Sequence, residues 1–266
     1  RIYNSYMDTQ LQTSTALAAD AAAYSTQASS VDKLLSDNST GISSVLTSFF
    51  SALQTASSNP SDTASRQLLL TQAQTLSNRF NAISSQLSQQ NDGINSSLST
   101  LTGQVNKLTA NIADLNKQIT QLSANGNTPN SLLDARNETV RQLNELVGVT
   151  VQERDGNYDI YMGSGQALVS GNSANTLTAT PGITDKSQYG LTIQYPGYST
   201  DVTSVTTGGE IGGLLRVGCG GEDGPAVVLQ HLEPRGDIAG MIGPWFRRQS
   251  EIGADKRRAQ FGHQLL

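Results

Sequence analysis

Hydrophobic residues between positions 76 and 122 recur almost always at steps of three or four, with polar residues between them. This spacing places them on one face of an α-helix, as in coiled coils and long bundle helices. Gln90 fills one position, and the two four-residue steps after it predict a local unwinding of any supercoil. The helix would be roughly 70 Å long. This packing stripe consists of Leu76, Phe80, Ile83, Leu87, Ile94, Leu98, Leu101, Val105, Leu108, Ile112, Leu115, Ile119 and Leu122.

The stripe is interpreted first as the core of a helical bundle formed within the chain. The alternative is a seam that packs against a separate chain, and an axial assembly can combine the two. In either case the stripe serves packing rather than chemistry.

A helix start precedes the stripe at residues 59–62. Asn59 can cap the free N–H groups of the first turn, and Pro60 suits the first helical position because it lacks an N–H group. Asp62 would then lie in the first turn, where the helix dipole favours a carboxylate. The sequence therefore predicts a helix cap made by Asn59, Pro60 and Asp62.

Shorter helices flank the long one. Turn-forming residues at 37–41 precede a short apolar helix at 45–53, in which Phe49 and Phe50 are expected to supply much of the burial. Beyond the stripe, Asn-Gly-Asn at 125–127 ends the long helix, and another helix is predicted at about 130–146.

The hydrophobic period changes from helical to two at residue 149. Val149 and Val151 alternate with polar neighbours, and Asp155-Gly156 predicts a two-residue hairpin turn before a returning strand. Further strands are predicted at 166–169, 176–179 and 191–195, and a turn into a new helix at 208–215. The fold class is therefore α+β, with a long-helix bundle or coiled-coil rod followed by a small antiparallel β domain that projects from it.

The predicted domains are a helical rod at 1–148, a small β domain at 149–207, a return toward the helical core at 208–216, and a tail at 217–266. The tail holds the only cysteine, the only tryptophan and both histidines, and no periodicity persists in it. We interpret it as a foreign or out-of-frame segment, irregular and poorly ordered.

Charge and composition exclude several classes of protein. The net charge is −5, with 17 basic and 22 acidic residues, so there is no basic excess for nucleic-acid binding. No run of apolar residues is long enough to insert in a membrane. The single Cys219 cannot form a disulfide within the chain.

Candidate chemistry is sparse. Cys219, His231 and His263 are too few and too far apart for a metal site. We expect no catalytic residues, no cofactor and no metal. Charged residues at helical spacing in 134–141 predict solvent-facing ion pairs, namely Asp134, Arg136, Glu138 and Arg141.

Several segments resemble flagellar hook-associated protein 1, the family of hook–filament junction proteins, and together they cover residues 1–216. The resemblance is strongest in the central and later segments. These are FFSALQ at 49–54, NPSDTASRQ at 59–67, QTLSNRF at 74–80, NSLLDARN at 130–137, LNELVGV at 143–149, YDIYMGSGQ at 158–166 and GGEIGGLL at 208–215, with RIYNSY at 1–6 at the start.

This resemblance implies a non-enzymatic structural component of the bacterial flagellum, an adapter at the hook–filament junction that filament assembly requires. It implies an extracellular location, reached through the flagellar type III export channel without a cleaved signal peptide. The implied partners are further copies of the chain, the hook protein, the second junction protein and an export chaperone, with no nucleic acid and no membrane insertion.

The family pattern also contains terminal helical segments that pair with each other, and we expect this sequence to lack them. The resemblance therefore implies a truncated piece that is marginally stable or self-associating and assembles poorly by itself. It also implies that part of the stripe is exposed, at a cost of about 25 cal/mol per Å² of apolar area left in water.

Two other functions remain open from the residues alone. A surface adhesin or secreted binding protein with a coiled-coil stalk would need exposed aromatic residues in its β head; the candidates are Tyr158, Tyr161, Tyr189, Tyr195 and Tyr198. An enzyme, such as a peptidoglycan hydrolase, would need paired carboxylates or a Cys/His group. Neither arrangement is evident in the sequence.

Overall fold

A computed structural model of the chain describes residues 5–36, 41–124, 126, 129–183 and 185–218. The described residues all lie within one of two units, Arg1–Ala226. Helices come first and antiparallel strands follow, which confirms the α+β class. Residues 219–266, most of the predicted tail, lie outside the described residues.

The long helix α3 (Thr63–Ala124) has 62 residues and is about 90 Å long at 1.5 Å per residue. It begins well before the stripe and ends where the Asn-Gly-Asn signal predicts. Leu76, Phe80 and Leu108 are half-buried, and Leu122 is 38% exposed. The remaining stripe residues are buried: Ile83, Leu87, Ile94, Leu98, Leu101, Val105, Ile112, Leu115 and Ile119.

Elements of the same chain cover the stripe. Helices α1 (Ser5–Ser36), α2 (Ser43–Ser58) and α4 (Asn130–Leu146) lie beside α3 or beside one another, and strands cover much of the rest. The resemblance implies a partly exposed stripe, but only its last residue is exposed and three further positions are half-buried. Gln90, the polar residue in the stripe, donates from Nε2 to the backbone oxygen of Gln27 at 3.2 Å.

The predicted cap is wrong in its position. Asn59 ends α2, and its N–H group donates to the carbonyl of Thr55 at 3.0 Å. The carboxylate of Asp62 caps α3 instead, because it accepts the N–H groups of Ala64 at 3.3 Å and Ser65 at 3.0 Å. Pro60 therefore lies in the turn between the helices rather than at a first helical position.

Small residues, not the phenylalanines, are the buried side chains of α2. Ala52 and Ala56 are buried, whereas Phe49 is half-buried and Phe50 is 58% exposed. The two rings meet edge to face with centroids 5.6 Å apart. The buried face of α2 is therefore its alanine side, and the aromatic pair lies nearer to solvent.

Seven strands form two antiparallel sheets in the described part of the chain. The first sheet contains, in order, β1 (Val149–Arg154), β2 (Asn157–Met162), β3 (Gln166–Ser170) and β4 (Ser173–Ala174). The second contains β5 (Thr176–Pro181), β6 (Tyr189–Tyr195) and β7 (Tyr198–Asp201). The short polar strands β4 and β7 are absent from the sequence prediction because they show no apolar alternation.

The hairpin turn between β1 and β2 is confirmed. Asp155 has φ of 51° and Gly156 has φ of 78°, the positive values that a type I′ turn needs at both central positions. The register pairs Arg154 with Asn157 and Val149 with Met162.

The sheets share one hydrophobic core with α3, so the predicted projecting β domain is wrong in its placement. Side chains of both sheets pack in the same cluster as the middle of the stripe. Those from the strands include Ile160, Met162, Leu168, Val169, Leu177, Leu191 and Ile193, all essentially inaccessible to solvent.

The predicted return into a helix is present as α5 (Gly209–Gly218), which packs closely on α1. A Cβ atom at Gly213 would lie 2.3 Å from the backbone oxygen of Asp20, so only glycine allows this approach. Arg216 pairs with Asp20 at 3.0 Å. Helix α5 continues past residue 216, where the sequence predicts a break, and Val217 is buried.

Candidate functional site: the asparagine seam of helix α3

Three asparagine side chains on α3 pair with the backbone of the strands. Asn95, Asn106 and Asn116 are separated by 11 and 10 residues, which is about three helical turns in each case, so they lie on one side of the helix. A primary amide offers one acceptor and one donor side by side, the same pair that a neighbouring strand would present. We call these residues the asparagine seam.

The middle member binds one residue of β5 at both of its backbone groups. Asn106 donates from Nδ2 to the carbonyl oxygen of Leu177 at 2.8 Å, and its Oδ1 accepts the N–H group of Leu177 at 2.8 Å. Both groups therefore point away from β6 and toward the helix. The helix takes the place of a neighbouring strand at this position.

Asn116 makes the most extensive contacts of the three and is fully buried. Its Oδ1 accepts the N–H group of Tyr158 at 3.0 Å, and its Nδ2 donates to the carbonyls of Tyr158 at 2.9 Å and Gly171 at 2.7 Å. Strand β3 turns away before it reaches Tyr158, so Asn116 completes the hydrogen bonding of β2 beyond the end of β3.

Asn95 binds the start of β6 in the same way. Its Oδ1 accepts the N–H group of Tyr189 at 3.0 Å, and its Nδ2 donates to the carbonyl of Ser187 at 2.6 Å. Asn91, one turn earlier on α3, also donates to Ser187 at 2.6 Å. The seam thus contacts both sheets over about half of the stripe's length.

Arg136 of α4 fixes the orientation of Asn116. Its guanidinium donates from Nη1 to Asn116 Oδ1 at 2.9 Å and to the carbonyl of Gly156 at 2.8 Å, and it lies 3.6 Å from the centroid of the Tyr158 ring. Oδ1 must therefore face the donors, and Nδ2 must face the carbonyls. The prediction that Arg136 forms a solvent-facing ion pair is wrong, since this side chain is only 1% exposed.

Solvent-facing ion pairs do form on α4 between Arg141 and two glutamates. Arg141 pairs with Glu138 at 2.6 Å and with Glu145 on the next turn. Hydrogen bonds from Arg141 and then Gln142 lower the pKa of Glu138 to about 2, and the same pairing raises the pKa of Arg141. These groups are about half exposed, so the pairs contribute little to stability.

The chain passes from the helices to the strands at Gly148 and returns to a helix just after Thr207. These two crossings pack against each other. A Cβ atom at Gly148, where the chain leaves α4 for β1, would lie 2.4 Å from the carbonyl oxygen of Thr207. Asn144 secures this junction, because its Oδ1 accepts the N–H group of Val149 at 3.0 Å and its Nδ2 donates to the carbonyl of Gln12 in α1. The strands are thus attached to the helices at the crossings as well as along the seam.

The sequence did not single out any of the three seam asparagines. Each one directly follows a stripe residue, namely Ile94, Val105 or Leu115, and this shared offset is the signal that could have identified them. Without the strands in place, they resemble the many other polar residues on α3.

The aromatic residues of the strand region are mostly not available to a receptor. Tyr158 is buried beneath Arg136, and Tyr161, Tyr189 and Tyr195 are half-buried. Tyr198, which is 61% exposed, stacks on Tyr195 with centroids 4.8 Å apart. Burial and then the neighbouring Tyr198 raise the pKa of Tyr195. This arrangement does not support the adhesin alternative.

Within the described ranges, no cluster of three or more His, Cys, Asp or Glu side chains could hold a metal ion. No helix in the same part of the chain is long and apolar enough to cross a membrane. The cysteine and histidines considered in the sequence lie outside the described residues.

Comparisons with known proteins agree with this architecture. Residues 28–229 match the family model of the flagellar hook-associated protein FlgK helical domain. Flagellar hook-associated protein 1 of Salmonella typhimurium strain LT2 is 34% identical over 196 residues, covering 71% of this chain and 35% of the relative. The protein of the same name from Escherichia coli K12 is 33% identical over 222 residues, covering 81% and 40%.

A solved structure has the same fold. The flagellar hook junction protein FlgK from Burkholderia pseudomallei superposes with a TM-score of 0.72 and 32% identity, over 78% of this chain and 38% of that one. The chain thus spans between a third and two-fifths of the length of these relatives. The family match also runs 13 residues beyond residue 216, while the origin of the tail stays a prediction. The chain belongs to the flagellar hook-associated protein FlgK family, and the matched region is that family's helical domain.

Proposed function

We propose that this chain is part of an adapter at the hook–filament junction of the bacterial flagellum, a non-enzymatic structural component that filament assembly requires. The observation that carries the proposal is the family match over residues 28–229, supported by the shared fold at a TM-score of 0.72. The relatives are named as hook-associated and hook junction proteins, and the proposal extends that role to this chain.

The internal arrangement of polar groups supports a structural role. Asn95, Asn116 and Asn144 are buried, and each joins one element to the backbone of another. Arg136 is buried and orients Asn116. These four buried polar side chains thus hold helices and strands in place.

The proposed partners are further copies of the chain, the hook protein, the second junction protein and an export chaperone. The surface of the helices supports contacts with other axial proteins, because large apolar side chains are exposed there and charges are few. The exposed fraction ranges from 42% to 62% for Met7, Leu11, Leu17, Phe50, Leu53, Leu68 and Leu70. We further propose an extracellular location in the flagellum, reached by type III export without a cleaved signal peptide.

Deletion of the gene that carries this sequence tests the proposal. We expect cells with hooks but without filaments, flagellin released into the medium, and no swimming, all restored by the intact gene in trans. Electron microscopy of the cell surface provides the readout. Normal filaments on the deletion strain would contradict the proposal, and normal swimming with weakened surface attachment would favour the adhesin alternative.

A further inference from the structure

Strand β5 is an edge strand of its sheet, since the order is β5-β6-β7. Edge strands expose unpaired N–H and C=O groups that can pair with another chain. The segment TLTAT at 176–180 carries no charge and is rich in β-branched residues, the composition that pairs most readily when uncovered. Pro181 ends the strand and removes one donor.

We propose that Asn106 guards this edge against pairing with a strand of a second copy of the chain. The two outward groups of Leu177, the second residue of the segment, are both bound by the Asn106 side chain. A second strand cannot hydrogen bond at this position until that amide moves away. The helix thereby closes the sheet without adding a strand.

The other two seam residues have a different role. Asn95 and Asn116 bind β6 and β2, which are inner strands with a neighbour on each side. Each one completes the hydrogen bonding of one residue beyond the end of a neighbouring strand. Loss of either amide therefore leaves a single unpaired position rather than an open edge, and only Asn106 carries the guarding role.

The test compares Asn106→Leu with Asn116→Leu and with Ile112→Ala, in the full chain. Ile112 is a fully buried apolar residue of the same helix, and its truncation destabilises the fold without uncovering a strand. Size-exclusion chromatography with light scattering and thioflavin T fluorescence are measured at protein concentrations where the parent chain is unchanged. Denaturant is adjusted so that all variants have equal folded fractions.

At matched stability, Asn106→Leu is expected to form dimers and larger thioflavin-positive species, whereas the other two variants behave like the parent. Adding Thr180→Lys to Asn106→Leu should restore the parent behaviour, because Thr180 is exposed on β5 and a lysine on an edge opposes strand pairing. Asn106→Asp should lose stability but stay monomeric, because its carboxylate also places a charge beside the edge strand. Equal association of all destabilised variants, or no rescue by Thr180→Lys, would overturn the proposal.

Discussion

Single side-chain amides attach the strands to helix α3 through hydrogen bonds, in addition to the hydrophobic core that the strands and the helix share. An amide is neutral, so its burial carries a far smaller desolvation cost than an ion pair, provided that its donor and acceptor are both satisfied. Asn116 meets this condition through Tyr158, Gly171 and Arg136. Its removal would leave several buried groups without partners, each at a cost of about 1–3 kcal/mol.

The first prediction concerns the coupling between Asn116 and Arg136. Asn116→Ala and Arg136→Met should each lower the free energy of unfolding by about 2–4 kcal/mol, because each leaves buried polar groups unpaired. The double variant should lose at least about 1 kcal/mol less than the sum of the two, since the side chains share one contact. Urea unfolding measures all three.

Asn111→Ala is the matched control for this cycle. Asn111 is an exposed asparagine on the same helix, and its only described bond is a long one of 3.5 Å to Thr139. Its replacement should change the free energy of unfolding by less than about 0.5 kcal/mol. Strict additivity of Asn116→Ala and Arg136→Met would contradict the assigned contact.

The second prediction concerns the titration of Glu138 on helix α4 at low pH. Arg141 holds the pKa of Glu138 at about 2, below its ordinary value of 4.5. The stabilisation from this pairing is therefore complete above about pH 4.5 and is lost as the pH falls through about 2. An NMR titration of the Glu138 side chain should show a midpoint near 2 in the parent and a midpoint returning toward 4.5 in Arg141→Met. A parent midpoint near 4.5 would exclude the pairing in solution.

At the scale of the elements, the sequence predicted where the helices lie better than it predicted which of their side chains are buried. Periodicity located most of α3, because burial on one side imposes a repeat of three and four residues, and turn signals located α4. It placed Phe50 inside and Arg136 outside, and both are reversed. Which flank of a helix is covered depends on the strands that pack there, and a single-helix pattern does not contain that information.

The strands, too, were predicted only in part. Alternation predicted β1, β2 and the hairpin at Asp155-Gly156, since a half-buried strand repeats every two residues. Strand β7 was missed because Tyr-Ser-Thr-Asp lacks an apolar face, and its register comes from pairing with β6 instead. The seam was missed because an asparagine becomes a strand partner only when a strand lies beside it.

The third prediction concerns the start of α3. Asp62→Ala should lower the melting temperature and fray the first turn, because the carboxylate accepts the Ala64 and Ser65 N–H groups. Hydrogen bonds from Ser65 lower the pKa of Asp62 below 3.8 in the folded protein. The stabilisation by this cap is therefore fully present above pH 3.8 and is lost as the pH falls through the lowered pKa. Calorimetry and circular dichroism at two pH values measure it.

Asn59→Ala serves as the comparison for the cap. Asn59 lies at the end of α2, and its amide is 3.5 Å from the Thr55 carbonyl, a marginal hydrogen bond. Its replacement should therefore have a smaller effect than Asp62→Ala. The reverse order would restore the cap position that the sequence suggested.

For the described molecule as a whole, one helix organises both sheets. Helix α3 supplies apolar side chains to a core shared with the strands, and its asparagines complete the hydrogen bonding of β2, β5 and β6. The chain leaves the helices at Gly148 and returns to them at Gly208, and the absence of side chains at these two glycines lets the two crossings lie close together. These contacts between the helices and the strands suit the proposed role as an axial component, where position matters more than motion.

The central claim is that the asparagine seam holds the strands on helix α3. Amide hydrogen exchange measured by NMR tests it most directly. In the parent chain the N–H groups of Tyr158, Leu177 and Tyr189 should exchange slowly, since Asn116, Asn106 and Asn95 accept them respectively. At concentrations where the variants are monomeric, replacing one asparagine by leucine should speed exchange at its own partner by roughly tenfold or more and leave the other two unchanged. Unchanged exchange in all three variants would contradict the account, because the strands would then be held on α3 without the seam.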